Sequence, residues 1–192
     1  MLEISNKYKI ILGSGSPRRK QLLHDLGINF ETIVANIDED FPEHLKAQEI
    51  PLFLSKKKAD FLKAQLQEQQ LLITADTIVW LNNKAINKPE NYREAFQMLQ
   101  SLSGNKHEVY TGVCLTSISK QHCFYARTEV FFKPLSNDEI DYYITHYKPF
   151  DKAGSYGAQD WIGLTGVEKI HGSFYNVMGL PTKELYENLI AF

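Results

Sequence analysis

His107-Glu-Val-Tyr-Thr-Gly-Val-Cys-Leu-Thr-Ser117 and His122-Cys-Phe-Tyr-Ala-Arg-Thr-Glu-Val-Phe-Phe-Lys133 are two long strand candidates in succession, separated by a short polar turn. Strands joined by so short a connection pair antiparallel, because parallel neighbours need a crossover of a dozen residues or more. A sheet holding such a ribbon is not purely parallel. That argues against a plain Rossmann domain and for a mixed, elongated sheet with flanking helices and two lobes around a cleft.

Outward from the ribbon, apolar periodicity predicts further strands near 8–13, 30–35, 71–81 and 166–177. Helices are predicted near 17–27, 50–69, 90–101, 136–147 and 181–191. Ser136 followed by Glu139 fits a capping box, Pro51 and Pro181 fit helix starts, and Asn82-Asn83-Lys84 fits a hairpin turn. The class is α/β, and without internal repeats or low-complexity linkers a single domain over 1–192 is expected.

Net charge is −2, with basic and acidic residues scattered along the chain, so there is no electrostatic footprint for a nucleic-acid polymer. Small anions remain open, since they need only a local positive pocket. Cys114 and Cys123 lie in strand-like runs without zinc-site spacing and read as reduced thiols, which favours a cytoplasmic setting. Met1 to Lys7 carries neither a basic start nor an apolar core of a leader, and no apolar stretch is long enough to span a bilayer.

The local positive pocket is legible at Ser14-Gly-Ser-Pro-Arg-Arg19. Tyr8 to Leu12 reads as a short strand, Ser16 as an N-cap and Pro17 as the first helical residue, which puts Arg18 and Arg19 in the first turn of a helix. The helix dipole and free N–H groups already make that end positive, so two more cations are disfavoured unless an anion joins them. A phosphate-bearing ligand is the simplest such anion. Arginine's planar fork suits phosphate oxygens, and Gly13 to Ser16 are small enough for the backbone to approach.

In Leu71-Leu-Ile-Thr-Ala-Asp-Thr-Ile-Val-Trp-Leu81 one carboxylate, Asp76, interrupts an otherwise buried strand. A charge there needs a cation, a metal or a shifted pKa, or else hydrogen bonds to neighbouring backbone or Thr77. On the helix that starts at Pro51, Lys58 shares a stripe with Leu54, Phe61 and Leu62, although helical phase does not separate it from Lys57; Lys56 and Lys57 read as solvated. Lys88 sits before Pro89 at a helix entry. The loop Lys148-Pro-Phe-Asp-Lys-Ala-Gly-Ser-Tyr-Gly-Ala-Gln159 has aromatics that could face a base and an amide, Gln159, that can read its edge; Asp151 and Lys152 could pair with one another. His107, with no second histidine at ligand spacing, reads as structural.

Together these segments resemble the Maf family of nucleoside triphosphate pyrophosphatases. The resemblance rests on Ser-Gly-Ser-Pro-Arg-Arg at 14–19, Ala-Asp-Thr-Ile-Val at 75–79, Lys-Pro at 88–89, Leu-Ser-Gly at 102–104, and His107 with Thr111-Gly-Val113. It continues through Asp-Lys-Ala-Gly-Ser-Tyr-Gly-Ala-Gln at 151–159 and Gly-Leu-Pro at 179–181. It implies a fold like that of inosine triphosphate pyrophosphatases, hydrolysis of a nucleoside triphosphate to monophosphate plus pyrophosphate, a divalent metal such as Mg²⁺ or Mn²⁺, and a homodimer. By position it implies phosphate handling by Ser14, Arg18, Arg19, Lys58 and Lys88, an acidic metal-side residue at Glu39, and a proton acceptor that also faces the metal at Asp76. Arg18, Thr77 and Gln159 match the branch acting on dTTP and UTP, with modified pyrimidine nucleotides as further candidates. The usual Gln-Gly-x-Gly is replaced here by Gln159-Asp-Trp-Ile-Gly163, a departure that bears on the base pocket rather than on the phosphate chemistry.

Two other classes compete. The family's link to inhibition of septum formation supplies a nucleotide-binding regulator without turnover, which would need the cations but not a carboxylate inside an apolar strand. A single-strand nucleic-acid binder using Trp161 and Phe150 is opposed by the charge distribution.

Overall fold

The computed structural model describes residues 7–192, so the reading of the first six residues lies outside it. Among the described residues, seven strands form one sheet: β1 (Lys9–Leu12), β2 (Phe30–Thr32), β3 (Gln70–Leu81), β4 (Lys84–Ile86), β5 (Lys106–Thr116), β6 (Gln121–Phe132) and β7 (Val167–His171). Their order is β2-β1-β3-β5-β6-β7, with β4 paired to β3. β1 runs parallel to β2 and β3, while the β3–β5, β5–β6 and β6–β7 pairs are antiparallel. The ribbon of β5 and β6 is antiparallel, as its short turn requires, and makes the sheet mixed. The helices are α1 (Pro17–Asp25), α2 (Glu49–Lys63), α3 (Tyr92–Leu102), α4 (Asn137–Tyr147), α5 (Trp161–Gly166), α6 (Phe174–Met178) and α7 (Thr182–Ala191).

The local signals act as their chemistry dictates. Ser16 caps α1 by accepting the Arg19 backbone N–H at 3.5 Å, with Pro17 in the first turn where its missing N–H costs nothing. Ser136 and Glu139 form the full capping box of α4. Asn82 and Asn83 both take left-handed φ, 50° and 60°, which is the turn that joins β3 to β4 with the twist of the strands.

The sheet carries apolar cores towards the two ends of β3. Near its start, Ile10, Leu12, Leu71, Ile73, Val113 and Leu115 pack with α1 and α7. Near its end, Val79, Leu81, Val109, Val130 and Phe132 pack with α3, α4 and α5. Each fully buried leucine or valine in these clusters is worth about 2 kcal/mol relative to exposure. Between the cores the register places Asp76 opposite Gly112 and Thr77 opposite Thr111. Gly112 is required there: a Cβ would lie 2.4 Å from the Pro51 carbonyl, so only glycine lets the start of α2 rest against the sheet beside Asp76.

Four expectations are corrected. The predicted strand at 166–177 is extended only over Val167–His171. Gly172, at φ 130°, then turns the chain, and Ser173 caps α6 by accepting the Asn176 N–H at 3.3 Å. The helix predicted over 50–69 ends at Lys63, and Phe61, placed on its inner stripe by periodicity, is half exposed. Cys114 and Cys123 are directly opposite one another on the β5–β6 ladder, Cα atoms 4.1 Å apart, and form a disulfide rather than two free thiols. The compartment argument drawn from reduced cysteines loses its support with them. Among the described residues, no helix is long and apolar enough to cross a membrane.

Candidate active site

A cavity of about 350 Å³ opens where the two cores part. Its walls come from the loop and first turn after β1, the middle of β3, the segment carrying Glu39, Lys58 of α2, Lys88, and the loops 151–159 and 177–179. Ser14, Arg18, Arg19, Glu39, Lys58, Thr77, Lys88 and Gln159 all line it. Asp76 does not: on a strand, successive side chains face opposite ways, so Ala75 and Thr77 look into the cavity while Asp76 looks toward α2. It is joined to the cavity by Lys58.

Lys58 Nζ donates to Asp76 Oδ1 at 2.6 Å and to Glu39 Oε1 at 2.7 Å. Glu39 Oε2 in turn accepts from Lys88 Nζ at 3.1 Å. This settles the ambiguity of helical phase: Lys58 is buried and faces the site, whereas Lys57 Nζ donates to the carbonyls of Asp38 and Asp40, at 2.8 and 3.2 Å. Lys57, read as solvated, thus grips the backbone on both sides of Glu39.

Burial pushes the Asp76 carboxyl up, and the charges of Lys58 and Arg19 oppose that rise without overcoming it. Burial would raise Glu39 as well, but there the hydrogen bond and charge of Lys58, with those of Lys88, prevail and bring it down to about 2. The two carboxylates on one lysine are thus pushed apart, a pattern associated with divided acid–base and electrostatic roles.

Arg18 and Arg19 have different surroundings. Arg19 is partly buried, and the loss of water around it lowers its pKa against the pull of Asp76; its guanidinium is spent on the protein. It donates to Gly179 O at 2.8 Å, Ala75 O at 2.9 Å, Thr77 Oγ1 at 3.0 Å and Ser14 Oγ at 3.3 Å. Arg19 therefore ties the loop after β1, strand β3 and the 179 turn into one piece. Arg18 reaches across the cavity mouth to Asp151 Oδ2 at 2.8 Å, its one side-chain partner among the described residues.

Beyond Thr77, which bonds Thr111 across the ladder at 2.9 Å, the cavity turns apolar along Val79, Val109, Tyr156 and Val177. Gln159 lies here with its Oε1 buried and without a hydrogen-bond partner among the described residues. An unpaired acceptor on a residue of the cavity wall can take a donor from a ligand. The Asp160 departure after Gln159 is built into this wall: Asp160 Oδ2 accepts from Tyr143 OH at 2.8 Å, and that hydroxyl accepts the Gly157 N–H at 3.0 Å. Gly163 has no room for a Cβ against the Ala158 carbonyl.

His107 is a core residue. It is buried behind the slot, bonded through Nε2 to Tyr156 OH at 2.7 Å, and burial lowers its pKa to about 4. Phe150 and Trp161 are not part of the cavity wall; Trp161 packs on Tyr142 instead. The apolar slot, the role of Lys57 and the link from Arg18 to Asp151 were not predicted. The signal for the last was the two charges at 151 and 152 beside a glycine-rich loop, which pair with one another as expected, at 2.8 Å, but also with the opposite wall.

Residues 9–192 match the family model described as Maf-like protein. The chain is 55% identical over 190 residues to the dTTP/UTP pyrophosphatase of Phocaeicola vulgatus, covering 98% of each chain. It is 49% identical over 193 residues to the dTTP/UTP pyrophosphatase of Parabacteroides distasonis, covering 100% of each. A solved structure, protein VC0702 from Vibrio cholerae, is similar over 96% of this chain and 92% of its own, at 10% identity and a TM-score of 0.45.

Proposed function

This chain belongs to the Maf family, and from that premise we propose that its cavity hydrolyses dTTP and UTP to the monophosphate and pyrophosphate. The chain is a nucleotide pyrophosphatase, a hydrolase of the anhydride bond. The observation that carries the mechanism is the Glu39–Lys58–Asp76 chain, with links of 2.7 and 2.6 Å, at the wall of a cavity ringed by cations.

Arg18, partly exposed, and Lys88, exposed, both line the cavity and receive the phosphates, and the Ser14 loop offers its backbone to them. Arg19, locked to its four acceptors, adds fixed positive charge and keeps that loop in place. Fixed charges of this kind need no reorganisation as the leaving pyrophosphate gains charge. Asp76 accepts the proton of the attacking water: Lys58 holds Oδ1 and leaves Oδ2 without a partner among the described residues, and burial has raised its affinity for a proton. The pyrimidine enters the apolar slot, where its ring N–H meets Gln159 Oε1, an exchange that cytosine's unprotonated ring nitrogen does not offer.

Glu39 and Asp76 fit a divalent cation such as Mg²⁺ or Mn²⁺, which takes one or two carboxylates and completes its shell with phosphate oxygens and water. Such an ion would share both carboxylates with Lys58, and would supply charge neutralisation at the phosphates. The family resemblance supports a homodimer, the nucleotide substrate supports a cytoplasmic setting, and the net charge of −2 supports the absence of a nucleic-acid polymer as partner.

The test is product analysis with the purified protein and Asp76→Asn, given Mg²⁺ or Mn²⁺ and dTTP, UTP, CTP, GTP, ATP or 7-methyl-GTP. Monophosphate plus pyrophosphate from dTTP and UTP is expected, with turnover falling roughly a hundredfold or more in the variant, the range of a lost general base. Diphosphate plus phosphate as products would refute the bond assignment. Tight nucleotide binding without any turnover would install the regulator in its place, a reading that leaves the buried Asp76 without purpose.

A further inference from the structure

Asp151 stands in the cavity mouth as an anion between cations of two different walls. Its Oδ2 accepts from Arg18 Nη1, in the first turn of α1, at 2.8 Å, and its Oδ1 accepts from Lys152 Nζ at 2.8 Å. Lys152 Nζ also lies 3.6 Å from Asp160 Oδ2, next to Gln159. All three of Arg18, Asp151 and Lys152 line the cavity, and Arg18 has no other hydrogen-bond partner among the described residues.

The exposures are unequal. The Lys152 side chain is 13% exposed and Asp151 57%. The carboxylate can rotate into water at little cost, whereas the ammonium is walled in and stays directed at the cavity. A carboxylate bridging two cations makes the same demand on them as a phosphate oxygen: charge-assisted donors at short range. A polyphosphate carries more negative charge than one carboxylate and brings several such oxygens.

We propose that Lys152 is a further residue that contacts the triphosphate, and that Asp151 occupies the place of a phosphate on Arg18 and Lys152 until the substrate displaces it. This rests on the pyrophosphatase reading above. Asp151 then acts as a built-in competitor: it neutralises two cations until the substrate arrives and weakens the hold on the pyrophosphate product. The contrasting role, in which Asp151 merely aims Arg18, makes the opposite prediction for its removal.

The experiment is calorimetric titration of inorganic pyrophosphate, at fixed Mg²⁺, into the intact protein, Asp151→Asn, Lys152→Met and Lys152→Arg. Glu187→Gln, at an exposed position of α7, controls for net charge. Asp151→Asn is expected to bind pyrophosphate about fivefold tighter, the range of an exposed ion pair that no longer competes. Lys152→Met is expected to bind it roughly tenfold or more weaker, the range of a charge-assisted bond, with Lys152→Arg restoring most of the loss. Equal or weaker binding by Asp151→Asn, the same gain in Glu187→Gln, or unchanged affinity in a folded Lys152→Met each overturns the proposal. Turnover of dTTP by the intact protein is followed in the same buffer, so that absence of turnover faults the enzyme reading alone while unchanged pyrophosphate affinity faults this one alone.

Discussion

Two adjacent lysines of α2 show how far one residue's identity falls short of its role. Lys57 and Lys58 are a step apart on the helix, yet Lys58 bridges two carboxylates and Lys57 clamps the carbonyls of Asp38 and Asp40. The Glu39 segment has no helix or strand of its own. Its conformation therefore leans on that clamp, and Lys57→Met is expected to speed amide exchange in residues 38–41 roughly tenfold, consistent with losing bonds from a charged donor. Unchanged exchange there would mean that the loop is held by other contacts. Arg19 carries the same lesson: its place in a helix first turn was legible, but its four acceptors come from three separate segments that only folding assembles.

At the scale of elements, what the sequence foretold well were those with a local cause. The capping box of α4, the Ser16-Pro17 start of α1 and the Asn82-Asn83 turn each draw on residues within a few positions of one another. The stretch 166–177 failed because its second half is decided from afar. Asn176 Nδ2 donates to Val109 O and Thr128 Oγ1, at 3.1 and 3.0 Å, and this tether to β5 and β6 holds the chain as α6 where its residues suited a strand. The seating of α2 on the sheet likewise rests on one distant glycine. Gly112→Ala is expected to lower stability by roughly 1–3 kcal/mol, as overpacking does, and to reduce turnover by lifting Lys58 from Asp76; thermal unfolding together with a dTTP assay measures both. A variant as stable and as active as the parent would show that the Pro51 contact can relax.

Among the described residues, four apolar clusters pack on one set of long strands, and the polar residues Asp76, Thr77 and Thr111 fall between those at the two ends of β3. The second core holds a neutral histidine. Because burial lowers His107 from 6.5 to about 4, the unfolded chain binds a proton there that the native protein refuses between those values. Stability from this group is thus complete above pH 6.5, falls as the pH drops, and is fully lost below about 4. The intact protein is expected to lose about 3 kcal/mol more across that window than His107→Gln, as read from denaturant unfolding at a series of pH values. Parallel curves for the two proteins would place the ring in a wetter setting than the structure gives it.

The amino-acid sequence by itself determined the mixed α/β class, most of the strands and helices, the cation-rich loop after β1 and a set of polar and charged side chains that line the cavity, Ser14, Arg18, Arg19, Glu39, Lys58, Thr77, Lys88 and Gln159. These follow from periodicity, capping and turn chemistry, and from ordered segments that resemble one family, all of which are written locally. Only the tertiary structure decided that Asp76 sits behind Lys58 rather than in the cavity wall, that Arg19 is spent on carbonyls while Arg18 faces Asp151, and that Cys114 meets Cys123. Those facts depend on strand register and on which backbone groups the packing brings within 3 Å or so of a donor, and a hydrogen bond between residues far apart in the chain leaves no periodic trace along it.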